Sequence, residues 1–203
     1  YNPTEKEKAQ LVQGTKGQVW SLNVIDGQLL VGHHQGAFLI QKYESKKITD
    51  LLGIWKFISI SDKLTLAGHY KGLVLFEHNG NNWQLKNHIK GFNESSRIIT
   101  KDNNSNIWVS HPYRGVFQID KNELLSGNIS PVNHSTHNAS GISLRNVFYK
   151  INQNIIFDDG KSLYKYQSET NAPVPYNALS AYLPTDSPLN FLMANDENNI
   201  WLG

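Results

Sequence analysis

Apolar residues fall in short runs along this chain, separated by polar turns rich in Gly, Asn and Asp. One run recurs together with its turn. It reads VGHHQGAFLI at Val31 to Ile40, AGHYKGLVLF at Ala67 to Phe76 and VSHPYRGVFQI at Val109 to Ile119. A weaker copy, FDDGKSLYKY, spans Phe157 to Tyr166, and IWLG at Ile200 to Gly203 would begin a fifth. The residues before each turn, Val31, Ala67, Val109, Phe157 and Leu202, lie 36, 42, 48 and 45 positions apart. Several short strands per unit at this period are the signature of propeller blades. A helical repeat would need apolar residues at helical spacing, and these runs lack it.

Each unit reads strand by strand. Gln18 to Ile25, Gln28 to Gly32, Ala37 to Tyr43 and a short outer strand near Lys47 to Leu52 make the first. Asp26-Gly27 is a two-residue hairpin turn. Trp55 to Ile60, Leu64 to Gly68, Leu73 to His78 and Trp83 to Lys86 make the second. The third has Arg97 to Thr100, Asn106 to Ser110 and Gly115 to Asp120. The fourth has Arg145 to Lys150, Asn154 to Phe157 and Ser162 to Tyr166. Inner strands such as Leu29-Leu30-Val31, Ile107-Trp108-Val109 and Ile155-Ile156-Phe157 are continuously apolar, as strands covered on both faces are. Gly36, Gly72 and Gly115 recur where a turn needs positive φ or close backbone approach. The predicted fold is therefore all-β, with blades of four antiparallel strands over 17–52, 53–91, 92–141 and 142–187. A further blade starts at 188–203. About four and a half blades do not close a ring, so the expectation is a segment of a larger, seven-bladed-type propeller or an open array completed by another copy. Two insertions, Glu123 to Gly141 and Asn171 to Ser187, are long for hairpin loops and read as outer-strand decorations or functional loops.

Composition narrows the function classes. The chain has 203 residues, 39% hydrophobic, with a net charge of +2 and no basic stripe, which argues against a nucleic-acid surface. No apolar run is long enough to span a membrane. The absence of Cys excludes a disulfide framework and a thiolate metal site. Asn-x-Ser matches at Asn93, Asn103, Asn128, Asn133 and Asn138 read as turn chemistry ahead of glycosylation. No nucleophile elbow, phosphate loop or zinc-protease motif is present, so no catalytic residue and no cofactor are expected of this segment.

KDNNSNIWVSHPYRGVFQID (Lys101 to Asp120) and NDENNIWLG (Asn195 to Gly203) resemble the two-component regulator propeller repeat. The resemblance implies an extracytoplasmic, periplasmic sensor region. The full-length protein would then be anchored in the inner membrane by a segment outside this chain and carry a histidine kinase or helix-turn-helix output. It also implies a glycan or other small polar ligand and a possible homodimer through the propeller. Where that family usually has Thr after the Val-Gly pair, this chain has His33, His69 and His111, and Asp159 in the fourth copy.

The histidines do not suit one metal ion. Stacked sheets sit about 10 Å apart, whereas zinc needs imidazole nitrogens at about 2 Å. Two readings stay open. In one, the second-to-third-strand turns present a polar ligand surface of His33, His34, His69, Tyr70, Lys71, His111, Tyr113 and Arg114, with Arg97 and Arg145 at first-strand starts able to clamp an anion. In the other, each His bonds a turn carbonyl or its neighbouring blade, purely as repeat architecture. Trp108 and Trp201 are expected in blade cores, Trp20 and Trp55 in the core or lining a channel, and Trp83 in an outer strand. Asp158-Asp159 is expected to serve a hairpin turn. A secreted propeller lyase or hydrolase and a protein-interaction propeller are the competing functions.

Overall fold

The computed structural model describes residues 11–135, 143–183, 188–189, 192–194 and 200–202. Asn138, Gly141 and Pro184 to Ser187, named above, lie outside them. The chain divides into two compact units, Tyr1–His88 and Ile89–Gly203.

The first unit holds two antiparallel meanders. One is β1 (Val19–Ile25), β2 (Gln28–His33), β3 (Gly36–Gln41) and β4 (Glu44–Thr49); the other is β5 (Lys56–Ser61), β6 (Leu64–His69), β7 (Gly72–Asn79) and β8 (Asn82–His88). Asp26 and Gly27 both adopt positive φ, at 49° and 70°, which is the primed turn the dipeptide favours. The two sheets share one core. Ile25, Leu30, Ala37 and Leu39 pack with Ile54, Phe57, Ala67, Val74, Phe76 and Trp83. Burying such side chains contributes roughly 1.5–3 kcal/mol each for the larger ones, which is why neither blade stands alone. Gly36 has φ 135°, and a Cβ there would overlap the Thr49 carbonyl oxygen, so both reasons for a glycine hold at this turn.

The second unit begins with β9 (Ile98–Lys101), β10 (Ile107–His111), β11 (Gly115–Ile119), α1 (Lys121–Ser126) and β12 (Val132–Asn133). Its next meander is β13 (Tyr149–Ile151), β14 (Asn154–Asp158), β15 (Leu163–Gln167) and β16 (Ala172–Pro175). A 3-10 helix (Asn177–Tyr182) and the pair β17 (Leu192–Ala194) and β18 (Ile200–Leu202) follow. Trp108 is fully buried with Val116, Phe148, Ile155 and Phe157, which joins the two meanders. Ile151, Ile156, Leu163 and Leu189 form a further core that Ile200 packs against.

Three details differ from the sequence reading. The first insertion contains a helix. Asp120 caps it by accepting from the Asn122 and Glu123 amides, and Gly127 ends it at φ 79°. The fourth unit's first strand starts at Tyr149 rather than Arg145, because Arg145 bonds the end of β14 out of the β13–β14 register. Its amide donates to the Asp158 carbonyl at 2.8 Å, and Ser110 donates to the Asn146 carbonyl at 2.7 Å. Trp201 is 49% exposed rather than in a core, and among the described residues β18 pairs with β17 alone. Trp83 lies in the outer strand β8, as expected.

Candidate functional site

The recurring histidines perform one repeated job. Each closes its own strand, and its Nδ1 accepts a backbone N–H two residues on. Gln35 N lies 2.9 Å from His33 Nδ1 and Lys71 N lies 3.3 Å from His69 Nδ1. His111 Nδ1 takes the amides of Tyr113 and Arg114 at 3.2 and 3.1 Å. Asp159 does the same with an oxygen, accepting from Lys161 N and Ser162 N at 2.9 and 2.7 Å. An Nδ1 that accepts leaves the proton of the neutral ring on Nε2. The position therefore selects for an acceptor, and imidazole and carboxylate both supply one. The bonded group is a turn amide, where the sequence suggested a turn carbonyl.

This fixes where the expected ligand row lies. His33 is 0% exposed and His69 5% exposed, so their rings are enclosed. His111 is half-buried, with Nε2 4.0 Å from Glu94 Oε2, and Arg114 Nε is 3.9 Å from the same oxygen. Tyr113, at 87% exposure, stands in solvent, and Lys71 and Arg97 are exposed as well. Arg145 meets its anion inside the protein: Nε donates to Oδ1 of the fully buried Asp158. Asp158 Oδ1 also accepts Gly160 N at 2.9 Å, the turn duty expected of it. Burial, then the Asp158 charge, pushes the Tyr149 hydroxyl beside this pair up to about 12.

His34 and Tyr70 are brought together. His34 Nδ1 is 2.8 Å from the Tyr70 hydroxyl, which links the turns of the first two blades. Their rings sit 5.7 Å apart, the Tyr70 ring is 5.3 Å from Trp55, and Trp55 is 4.3 Å from Trp20. Trp20, Trp55 and Tyr70 are half-buried and His34 is exposed, so the row runs from packed indole to open imidazole. Gly53 makes it possible. It adopts φ 72°, its N–H donates to the His34 carbonyl at 2.8 Å, and a Cβ there would overlap the Tyr70 ring. Sequence reasoning found Tyr70 and His34 through the repeat. It missed their union with the tryptophans, because the four residues come from three turns and a strand end.

Burial, then the neighbouring His88 and Lys71 charges, lowers the His69 imidazole to about 4. Burial likewise lowers His33. The folded state holds His69 neutral, against an unfolded value near 6.5. Its contribution is thus present above pH 6.5 and is lost as pH falls toward 4. Urea midpoints should drop between pH 7 and pH 5 by the equivalent of about 1–2 kcal/mol from this residue. His69→Asn, which keeps an acceptor without a titration in this range, should flatten that slope; an unchanged slope would exclude His69 as its source.

Among the described residues no three His, Asp or Glu side chains are grouped to hold a metal ion, and no helix is long and apolar enough to cross a membrane. No family model matches the chain, and no curated protein matches it by sequence. Solved structures do. The extracellular domain of the putative hybrid two component system BT4673 from B. thetaiotaomicron aligns with a TM-score of 0.65 at 14% identity, over 96% of this chain and 26% of that one. A catalytically inactive virginiamycin B lyase from Staphylococcus aureus with quinupristin aligns with a TM-score of 0.58 at 11% identity, over 95% of this chain and 65% of that one. The chain spans about a quarter of the length of the sensor domain and under two thirds of the lyase. At these identities the likeness establishes architecture, and this chain is a run of β-propeller blades, part of a propeller.

Proposed function

We propose that this chain is a ligand-sensing segment in the extracytoplasmic region of a bacterial two-component-type regulator, and that it binds a carbohydrate or another polar ligand. The observation that carries the reading is the row of Trp20, Trp55, Tyr70 and His34 across two blades. Aromatic faces cover the apolar face of a sugar ring, while the imidazole and the hydroxyl fix its polar rim. The row spans blade 1 and blade 2, so a ligand there would bias how those two sheets pack, which is the physical content of a sensing step. The architecture shared with the sensor domain and the repeat motifs both support this placement. The segment itself performs no chemistry in this reading.

Calorimetric titration against a panel of neutral and acidic oligosaccharides tests it. A saturable binder is expected, with affinity lost about tenfold or more in Trp55→Ala and in Tyr70→Ala. Unchanged affinity in both variants would remove the row from the site. The lyase likeness favours a second reading, a propeller lyase or hydrolase. Product accumulating with time in the same samples would select it.

A further inference from the structure

The second unit contains a groove of about 400 Å³ at the opposite ends of its strands from the histidine turns. It runs between the β9–β10 turn, the β13–β14 turn and the β15–β16 turn. Its walls are fixed from within. Asp102 spends Oδ1 on the amides of Asn104 and Asn106 at 2.9 Å each, and Oδ2 on Trp108 Nε1 at 2.9 Å. Asn104 Nδ2 donates to Ser168 Oγ at 3.1 Å, strapping one blade's turn to the next. Asn152 and Gln153 both take positive φ, which makes the β13–β14 connection a tight two-residue turn.

Other lining residues have capacity left over. Asn103 and Gln153 make no side-chain hydrogen bond to any described residue. Lys165 and Glu169 line the same groove with opposite charges, and neither pairs with the other nor with another described residue. A groove lined by one ammonium and one carboxylate that do not pair, together with side-chain amides, complements a ligand carrying both charges. A volume of this size accepts a small molecule and no large one.

We propose that this groove is a binding site for a small zwitterion, a free amino acid or short peptide, with Lys165 taking the carboxylate, Glu169 the ammonium, and Asn103 and Gln153 the polar atoms between. This does not depend on the aromatic row of the first unit. It is tested by calorimetric titration of the chain with the common free amino acids and with glycylglycine. N-acetylglycylglycine, which lacks the ammonium, and glycylglycinamide, which lacks the carboxylate, serve as blocked analogues. Saturable binding by at least one free zwitterion is expected, with each blocked dipeptide at least tenfold weaker than glycylglycine. Lys165→Met should weaken the free dipeptide while leaving glycylglycinamide unchanged; Glu169→Gln should do the converse with the acetylated form. Both side chains are at the surface of the groove, and circular dichroism confirms that the variants fold. Blocked and free dipeptides binding alike overturns the proposal, as does the absence of saturable binding by every zwitterion.

Discussion

Arg145→Leu is expected to destabilise the second unit by about 3–5 kcal/mol at pH 7. Asp158 has no exposed surface, and the Arg145 guanidinium is its charge partner. Without the arginine, a carboxylate stays in the protein interior with no cationic partner, beside the Gly160 amide and the Tyr149 hydroxyl. The uncompensated charge carries the cost. The double variant Arg145→Leu with Asp158→Asn should recover much of the loss, because the uncompensated charge is the larger penalty. Urea unfolding of the unchanged chain and the two variants at pH 7 measures this. A loss below about 1 kcal/mol in Arg145→Leu would mean that water already compensates Asp158.

Trp108→Ala is expected to cost about 3–5 kcal/mol, since it deletes the largest fully buried side chain. The indole is the centre of an aromatic group. His134 stacks at 4.9 Å, Tyr166 meets it edge-on at 4.7 Å, and Phe157 and Phe148 lie at 5.7 and 6.5 Å. Its Nε1–H also bonds Asp102, so alanine frees a carboxylate oxygen in the β9–β10 turn as well as opening a cavity. Trp108→Phe should keep most of the packing and lose the hydrogen bond, and so cost less. Equal losses in the two variants would assign the whole effect to the turn. Chemical denaturation followed by far-ultraviolet dichroism separates these outcomes without relying on tryptophan emission.

The blades were legible because their signals are local. Asp26-Gly27 specifies its turn by φ alone, and Leu30, Leu66 and Trp108 recur at one register because each blade covers the same face. The helix at Lys121–Ser126 was legible too. Asp120 is followed three residues on by Glu123, then by Leu124-Leu125 and Gly127, which together read as start, body and stop. The repeat pattern has no helix there, so Glu123 to Gly141 reads as an insertion, an outer-strand decoration or a functional loop. The turn duty of Asp158 was legible, but its ion pair with Arg145 was not. Their pairing depends on the Arg145 amide bonding the end of β14 out of the Tyr149–Ile156 register, and no local pattern announces that. The aromatic row was hidden for the same kind of reason. Trp20, Trp55 and Tyr70 meet only because Gly53 lets one turn run beneath a ring from another.

The turn acceptors have a consequence for exchange of the protein's amides with solvent. In three blades the acceptor is an imidazole nitrogen, and protonation of the ring abolishes it. In the fourth it is a carboxylate. Burial pushes the Asp159 carboxyl up, but the amides of Ser162 and Lys161 and the Tyr164 hydroxyl outweigh burial and hold it below its usual value. On acidification the amides of Gln35 and Lys71 should therefore lose protection while that of Lys161 keeps it. The turns are alike in geometry, yet a proton unlatches the imidazole ones and spares the carboxylate one, a contrast that hydrogen–deuterium exchange can read one amide at a time.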